Sequence, residues 1–212
     1  MIRMDAVVLE REGSRVLDGV DLVLTAGSCA VLTGANGAGK SSLLWTIPGL
    51  LPPTDGRVEV DGVSPQENRF AVRSMVGLLL QHPADLFIEE TVAADVAFGP
   101  ENLGLDRAEV DSRVEMALDR VGLSDAHDEP VRTLSGGRAR WAALAGVLAM
   151  HPEVVLLDEP AAGLDTAGRD RLLSIIRTEL AAGHTLIIAT HTPELYAACS
   201  TTQLHLVDGV LR

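Results

Sequence analysis

Residues 34–41 read Gly34-Ala35-Asn36-Gly37-Ala38-Gly39-Lys40-Ser41 and decide the fold of this chain. The stretch fits the pattern G-x-x-x-x-G-K-[S/T] at every fixed position, and it comes after the apolar run 29–32. Glycines let the backbone approach a phosphate closely, while the amides at the start of a following helix point at the anion. Lys40 would reach the outer phosphates, and Ser41 would offer its hydroxyl to Mg²⁺. Because a strand, a glycine loop and a helix start follow one another, the stretch predicts a binding site for a nucleoside triphosphate.

The composition of the 212 residues favours a globular domain and excludes several functional classes. Hydrophobic residues make up 47% and charged residues 22%, enough for a packed core. The 30 acidic against 17 basic residues give a net charge of -13, which argues against a nucleic-acid partner. Two cysteines, Cys29 and Cys199, do not make a disulfide framework and are expected as reduced thiols. No signal peptide is visible, and the apolar stretch 141–150 is too short to span a bilayer. A membrane role would therefore need a partner.

Short apolar segments alternate with helical patterns along the chain. Strands are expected at residues 6–9, 16–17, 20–24, 57–62, 76–80, 154–157 and 185–190, with a hairpin-like pair at 203–211. Helices are expected at 107–121, from Ser135 to before Pro152, and around 166–182. Asp106 is the predicted N-cap of the first of these helices, and Gly122 follows its end. The alternation predicts a parallel α/β core.

The strand at 154–157 runs into two carboxylates, Asp158 and Glu159. In phosphate chemistry one carboxylate can hold Mg²⁺, directly or through water, and the next can polarise the attacking water. Acidic residues also end strands for purely structural reasons. The catalytic interpretation of this pair is favoured because a phosphate loop precedes it in the same chain.

The segment Leu134-Ser135-Gly136-Gly137 indicates which family of phosphate-loop proteins the chain resembles. Together with the phosphate loop, Asp158-Glu159-Pro160, residues 162–165 (Ala-Gly-Leu-Asp) and Thr190-His191, it resembles the ATP-binding cassette (ABC) family over essentially all 212 residues. The resemblance implies an α/β P-loop NTPase (RecA-like) core with an antiparallel β subdomain and a helical subdomain at about residues 82–150. It also implies that residues 1–212 form a single ABC-type domain that hydrolyses ATP with Mg²⁺.

By the same resemblance, individual residues receive roles. Glu159 would be the general base or water-positioning carboxylate, His191 would contact the γ-phosphate and Glu159, and Gln81 would link the metal and the attacking water to the transport subunit. The implied Mg²⁺ ligands are Ser41, Gln81 and Asp158. The implied ATP-binding residues are Gly34, Ala35, Asn36, Gly37, Ala38, Gly39, Lys40, Ser41, Ser42, Ser135, Gly136 and Gly137. The last three would close over ATP bound to the second subunit of a dimer, and Asp165 would communicate across that interface. Histidines 82, 127, 151, 184 and 205 are taken as structural.

The stretch 86–105 is similar to the importer ATPases of the cobalt/nickel and energy-coupling-factor vitamin systems. It could instead reflect packing of the helical subdomain, with Phe87 and Phe98 as core residues. The subfamily implies a head-to-tail dimer, either a homodimer or a heterodimer with a related ATPase subunit, at the cytoplasmic face of the membrane. The dimer would drive separate integral membrane subunits that import a metal ion or a vitamin. Alternatives are an exporter ATPase, a soluble non-transport ABC protein, which usually has fused cassettes or basic surfaces, and a degenerate regulatory cassette.

The chain departs from the ABC pattern in several places. It has no Phe, Tyr or Trp before Trp45 to stack on the adenine, so Arg11, Arg15 or Val16 could cover the base instead. Arg138 stands where the signature normally ends in glutamine, and a cation in the first turn opposes the helix dipole unless an anion lies nearby. Arg138 either approaches the nucleotide of the partner or is a solvated arginine on the helix. Ser42 and Ala161 replace the usual threonines.

Overall fold

The computed structural model describes residues 1–82 and 87–212, so Pro83 and Leu86, which belong to the segments interpreted above, lie outside the described residues. The described strands are β1 (Ile2–Arg11), β2 (Ser14–Leu24), β3 (Cys29–Thr33), β4 (Asp55–Val60), β5 (Val76–Leu79), β6 (Val154–Asp158), β7 (Thr185–Ala189), β8 (Thr202–Val207) and β9 (Val210–Leu211). The described helices are α1 (Lys40–Thr46), α2 (Arg69–Met75), α3 (Val92–Asn102), α4 (Arg107–Val121), α5 (Gly136–Ala149) and α6 (Thr166–Ala181). Short 3₁₀ turns occupy Ser124–Ala126, Val131–Thr133 and Pro193–Tyr196.

The larger sheet has six strands in the order β5-β6-β7-β3-β8-β9. Its first five strands are parallel, and β9 pairs antiparallel with β8 as a hairpin. The sequences of β3, β6 and β7 are nearly continuous apolar runs, as expected for strands covered on both faces. Because parallel strands share one direction, the residues that follow β3, β5, β6 and β7 meet at one edge of this sheet.

Alternate residues of the central strands enter two different cores. Cys29 and Val31 of β3 face the cluster formed with α3, α4, α5 and α6. Ala30 and Leu32 face the other cluster, which contains α1 and the three-stranded antiparallel sheet β2-β1-β4. Successive side chains of a strand point to opposite faces, so one short apolar strand serves both layers. The α/β core, the antiparallel β sheet and the helical layer confirm the fold class predicted above.

The helices of the helical layer begin and end largely as the sequence predicts. The Asp106 carboxylate accepts a hydrogen bond of 2.9 Å from the Glu109 amide, and Gly122 ends α4 in the left-handed region with φ 70°. Ser135 caps α5 through a bond of 3.4 Å from the Arg138 amide. The boundaries of the helical subdomain, about residues 82–150, stay a prediction. Among the described helices, none has the length and apolar character needed to cross a bilayer.

One expectation about core packing is wrong. Phe87 is partly buried against the helical core, but Phe98 of α3 is 38% exposed and does not belong to that core. Phe98 instead lines a shallow apolar groove together with Leu80 and Phe87. Val96 and Ala97 lie on the buried side of α3, whereas Phe98 lies on its exposed side.

Candidate functional site

The loop 34–39 connects the end of β3 to the first residue of α1. Gly34 and Gly39 have φ values of 151° and 102°, a region that side chains rarely adopt. A Cβ atom at Gly34 would lie 2.4 Å from the Leu206 carbonyl oxygen, and one at Gly39 would lie 2.8 Å from the Val16 carbonyl oxygen. Glycine is required at both positions, because the backbone is left-handed and neighbouring main chain approaches closely. The result is a tight loop with its amides available for an anion.

The ammonium group of Lys40 lies across this loop. Its Nζ atom donates hydrogen bonds of 2.9 Å to the Gly34 carbonyl and 3.1 Å to the Ala35 carbonyl. The residue is buried although it is charged. An ammonium has three donors, so these two bonds leave one N–H for another acceptor. Lys40 thus places a positive charge in the concavity of the loop.

A cavity of about 300 Å³ opens beside the loop. Its lining brings together residues from the loop, the exits of β5 and β6, and the start of α1. The lining residues are Val16, Asn36, Gly37, Gly39, Lys40, Ser41, Ser42, Gln81, Asp158 and Glu159. Residues more than a hundred positions apart in the sequence therefore share one cavity, as the parallel order of β3, β5 and β6 requires.

Asp158 is the last residue of β6 and is only 3% exposed. Burial raises the pKa of its carboxyl group, the hydroxyl of Ser41 lowers it by hydrogen bonding, and the charge of Glu159 raises it. The nearby charge of Lys40 lowers it further. A buried carboxylate is costly unless cations or donors compensate it, so Asp158 is a strong acceptor for a cation at this cavity.

Glu159 follows in an unusual backbone conformation. Its φ of 47° is left-handed, which costs a non-glycine residue about 1–3 kcal/mol. The amide of Glu159 donates a bond of 2.9 Å to the Ala189 carbonyl at the end of β7, and this bond holds the turn. As a result Glu159 leaves the strand direction and its side chain lines the cavity beside Asp158.

The carboxylate of Glu159 is held by residues that follow β7. Its Oε2 atom lies 2.9 Å from Nδ1 of His191 and accepts a bond of 3.4 Å from the hydroxyl of Thr190. Thr190 is buried, whereas the side chain of His191 is 64% exposed. His191 lines a second cavity of about 400 Å³, which Glu159 also lines. Glu159 therefore lines both cavities.

The serine-glycine segment Ser135-Gly136-Gly137 lies apart from both of these cavities. All three residues are exposed at the start of α5. A Cβ atom at Gly136 or Gly137 would meet nothing within 4 Å, so the surface is open there. The structure does not bring this segment to the phosphate loop of its own chain.

Arg138 and Asp165, both singled out above, have partners within their own chain. Arg138 lies 2.9 Å from Oε2 of Glu129 and 3.6 Å from Oδ1 of Asp125, so anions of its own chain offset the cation in the first turn of α5. Asp165 accepts a bond of 2.8 Å from the Gly168 amide and thereby caps α6. Both side chains have local partners within the described residues.

Val16 joins the loop cavity to a neighbouring one of about 710 Å³. Arg15 also lines the neighbouring cavity, and its guanidinium pairs with Glu10 at 3.2 Å and with Asp18 at 2.7 Å. Of the three residues considered for covering a base, Arg15 and Val16 border this cavity, whereas Arg11 is not among its lining residues. A base held here would lie against an aliphatic side chain and an ion-paired guanidinium.

Sequence reasoning missed Arg140 of α5. Its guanidinium donates a hydrogen bond of 3.0 Å to the carbonyl of Gln81 and another to the carbonyl of Ala162. No local pattern could reveal these contacts, since Gln81 lies 59 positions before Arg140. The residue connects α5 to the two segments that carry Gln81 and Glu159.

Comparison with known proteins places these features in one family. The ABC transporter family model matches residues 17–162. The chain is 47% identical to the cobalt import ATP-binding protein CbiO of Rhodobacter capsulatus over 189 residues, which cover 88% of this chain and 68% of the relative. It is 40% identical to the energy-coupling factor transporter ATP-binding protein EcfA of Methanosphaera stadtmanae over 201 residues, which cover 93% of this chain and 72% of the relative.

A solved structure agrees with the sequence relatives. CbiO1 from Clostridium perfringens, described as part of the ABC transporter complex cbiONQ, superposes with a TM-score of 0.86 at 30% identity. The match covers all of this chain and 86% of CbiO1. The resemblance to cobalt and energy-coupling-factor ATPases is therefore confirmed. The chain belongs to the ABC transporter family and is one of its ATP-binding, ATP-hydrolysing subunits.

Proposed function

We propose that this chain binds ATP with Mg²⁺ in a dimer and uses hydrolysis to drive a separate integral membrane subunit that imports a metal ion, such as cobalt or nickel, or a vitamin. The observation that carries the proposal is the cavity of about 300 Å³ in which Lys40, Ser41, Gln81, Asp158 and Glu159 meet. The phosphate-binding, metal-holding and hydrolytic roles proposed below all fall on residues that line this cavity. The likeness to CbiO, a cobalt import protein, supports a metal-ion cargo, and the likeness to EcfA supports an energy-coupling factor transporter.

The loop residues 34–39 and Lys40 would hold the phosphates. The glycines permit close approach of the main chain, and Lys40 adds a positive charge that is already directed into the loop. Ser41 and Ser42 line the same cavity and offer hydroxyl groups. The base would extend past Val16 toward the cavity that Arg15 lines.

Ser41, Gln81 and Asp158 would hold Mg²⁺. They offer a hydroxyl, an amide and a carboxylate, which are oxygen donors of the kind that Mg²⁺ prefers, with substrate phosphates completing the shell. The carboxylate of Asp158 supports a cation at this position, because a buried carboxylate needs a positive charge to stay ionised. When bound, the ion offsets the charge that develops on the phosphate oxygens during transfer.

Glu159 would position the attacking water and accept its proton as the oxygen attacks the γ-phosphorus and ADP leaves. Its placement beside Asp158 and Gln81 supports this role. Thr190 and His191 hold the carboxylate from the opposite side, which limits its rotation. A general base contributes about 10²- to 10⁴-fold to a rate, so this carboxylate is the residue to test first.

Ser135, Gly136 and Gly137 would complete the site of a second subunit rather than their own. They are exposed and remote from the loop cavity, yet they begin a capped helix of 14 residues whose first amides are available to an anion. A head-to-tail pair of chains would place this segment against the phosphates of the partner. The pair would be two copies or one copy with a related ATPase subunit.

The groove beside Gln81 would receive a segment of the membrane subunit. Leu80, Phe87 and Phe98 line it, and its volume is about 270 Å³. Phe70 and Ile88 are also largely exposed on the described surface. A contiguous apolar groove of this kind on a protein surface is typical of an interaction site. The position next to Gln81 would connect docking of the membrane subunit, at the cytoplasmic face, to the nucleotide site.

A matched pair of variants tests the proposal. Glu159→Gln removes the base at the carboxyl end of β6, while Glu153→Gln changes an exposed glutamate just before the same strand. We expect Glu159→Gln to bind ATP as tightly as the parent and to lose hydrolysis by about 10²-fold or more, with Glu153→Gln unchanged. Hydrolysis that survives in Glu159→Gln would overturn the assigned base.

Transport is tested separately. The tagged chain is purified from native membranes, the integral subunits bound to it are identified, and the complex is reconstituted in vesicles. We expect ATP-dependent uptake of labelled Co²⁺, Ni²⁺ or a vitamin, and none with Lys40→Ala. Export of cargo, or the absence of any integral subunit, would contradict the importer proposal while leaving the ATPase intact.

A further inference from the structure

Arg140 extends from α5 toward the nucleotide site in an arrangement that packing alone does not require. Its neighbours in the helix, Ala139 and Trp141, are buried. The Arg140 side chain instead donates hydrogen bonds to two loops. Arg140 belongs to the second turn of α5, which begins after Ser135. The start of this helix is the segment proposed above to bind the nucleotide of the partner subunit. The residue thus connects that helix to the cavity of its own chain.

Both hydrogen-bond partners of the guanidinium are backbone carbonyls. One belongs to Gln81, at 3.0 Å, and the other to Ala162. The Ala162 amide in turn donates a bond of 3.1 Å to the Glu159 carbonyl, so two successive hydrogen bonds link Arg140 to the main chain of Glu159. The planar fork of arginine suits this task, because its donors point in two fixed directions at once.

The electrostatics agree with a role at the cavity. Burial lowers the pKa of Arg140, and the negative charge of Glu159 opposes that change. Neutral carbonyls do not cancel the charge of the guanidinium, so the nearby carboxylate of Glu159 compensates it at a distance.

We propose that Arg140 is a positioning residue for hydrolysis, which fixes the Gln81 backbone and the turn after Glu159 relative to α5. Gln81 and Glu159 then line the cavity together only when α5 is in place. This inference rests on the roles proposed above for Gln81 and Glu159. It concerns the chemical step and not phosphate binding, because the hydrogen bonds of Arg140 in the described residues go to Gln81 and Ala162 and not to the loop 34–39 or Lys40.

The test compares Arg140→Met, Arg140→Lys and the control Arg177→Met, which changes an exposed arginine of α6. For Arg140→Met we expect kcat to fall about 10- to 100-fold, since displacement of a reacting group by about 1 Å can cost that much. We expect KM for MgATP to stay within about twofold of the parent value, because the substitution removes no interaction that binds the substrate in its ground state. Arg140→Lys keeps the charge and at least one bond, so its kcat lies between those of Arg140→Met and the parent. Arg177→Met matches the parent.

Several outcomes would overturn the inference. A kcat within about twofold of the parent in both Arg140 variants, or a raised KM with kcat unchanged, contradicts a positioning role. If thermal unfolding shows that Arg140→Met does not fold, Arg140→Lys alone tests the inference. An unchanged kcat in Arg140→Lys then contradicts the positioning role. Failure of the proposed function is separable, because it shows as hydrolysis retained by Glu159→Gln. Full activity of Arg140→Met with an inactive Glu159→Gln rejects only the role of Arg140.

Discussion

The Nδ1 atom of His191 lies 2.9 Å from Oε2 of Glu159, so an exposed imidazole holds a carboxylate that is almost entirely buried. Thr190, the residue before His191, donates to the same oxygen from the buried side. The two residues after β7 thus hold the residue after β6, and the parallel pairing of Asp158 with Ala189 brings them into register. The orientation of Glu159 therefore depends on the neighbouring strand β7 as well as on its own turn.

The first prediction follows from that contact. His191→Ala removes one of the two groups that orient Glu159, and we expect kcat to fall about 10- to 100-fold with a smaller change in KM. His191→Gln keeps a donor and recovers part of the loss. His127→Ala is the control, because His127 is also exposed and lies 3.1 Å from a carboxylate, that of Asp128. Steady-state ATPase kinetics measure all three, and equal losses in His191→Ala and His127→Ala would refute the specific role of His191.

The second prediction uses the fact that Lys40 is the only lysine among the 212 residues. An amine-reactive reagent can therefore modify only Lys40 and the N-terminal amine, which pairs with Asp61. We expect saturating MgATP to protect Lys40 and not the N-terminus, because a phosphate bound by the ammonium excludes the reagent. Peptide mass spectrometry quantifies both sites, so the N-terminus serves as the internal control.

The same lysine can be removed to measure its contribution. A hydrogen bond to a charged group is worth about 1.5–3 kcal/mol, so Lys40→Ala should weaken ATP binding about 10- to 100-fold in calorimetry. Unchanged affinity in Lys40→Ala, or lysine labelling that ATP does not slow, would show that the phosphates bind elsewhere.

The features that the sequence predicts are those determined by residues close together in the chain. The bounds of α4 follow from Asp106, Gly122 and one apolar stripe, and all of these act within a single helix. The phosphate loop can be recognised from its glycine pattern alone, without knowledge of any distant contact. The ABC resemblance implies a shared site for Ser41, Asp158 and Glu159, and the three residues line one cavity in the structure.

What the sequence does not predict arises from distant contacts. The left-handed φ of Glu159 is imposed by the bond from its amide to Ala189, and no residue type at position 159 signals it. Helix α3 is absent from the helices expected above, and it contains Gly99 and Pro100, residue types that disfavour a helix interior. The structure retains Gly99 because α3 approaches α5 there: an added Cβ would lie 2.7 Å from the Met150 side chain.

The third prediction concerns the apolar groove. Phe98→Glu places a charge among apolar groove residues, and we expect the chain to lose its membrane subunit during purification while it remains folded, since Phe98 is already 38% exposed. Met116→Glu on α4 is the control, because Met116 is similarly exposed but does not line the groove. Affinity purification from native membranes provides the measurement. Retention of the integral subunit by Phe98→Glu at the level of Met116→Glu would show that it docks on another surface.

The last prediction separates folding from dimer formation at the start of α5. Gly136 has ordinary helical geometry, and a side chain there meets nothing within 4 Å, so Gly136→Glu should fold and gain up to about 1 kcal/mol of helix stability. In the proposed dimer, the new carboxylate faces the phosphates of the partner, and like charges repel. We therefore expect Glu159→Gln to dimerise in saturating MgATP and the double variant with Gly136→Glu to stay monomeric. Adding Gly136→Ala instead should preserve the dimer, because alanine brings no charge. Light scattering after size-exclusion chromatography distinguishes the species, and a dimer of undiminished stability in the Gly136→Glu double variant would mean that this segment faces no nucleotide.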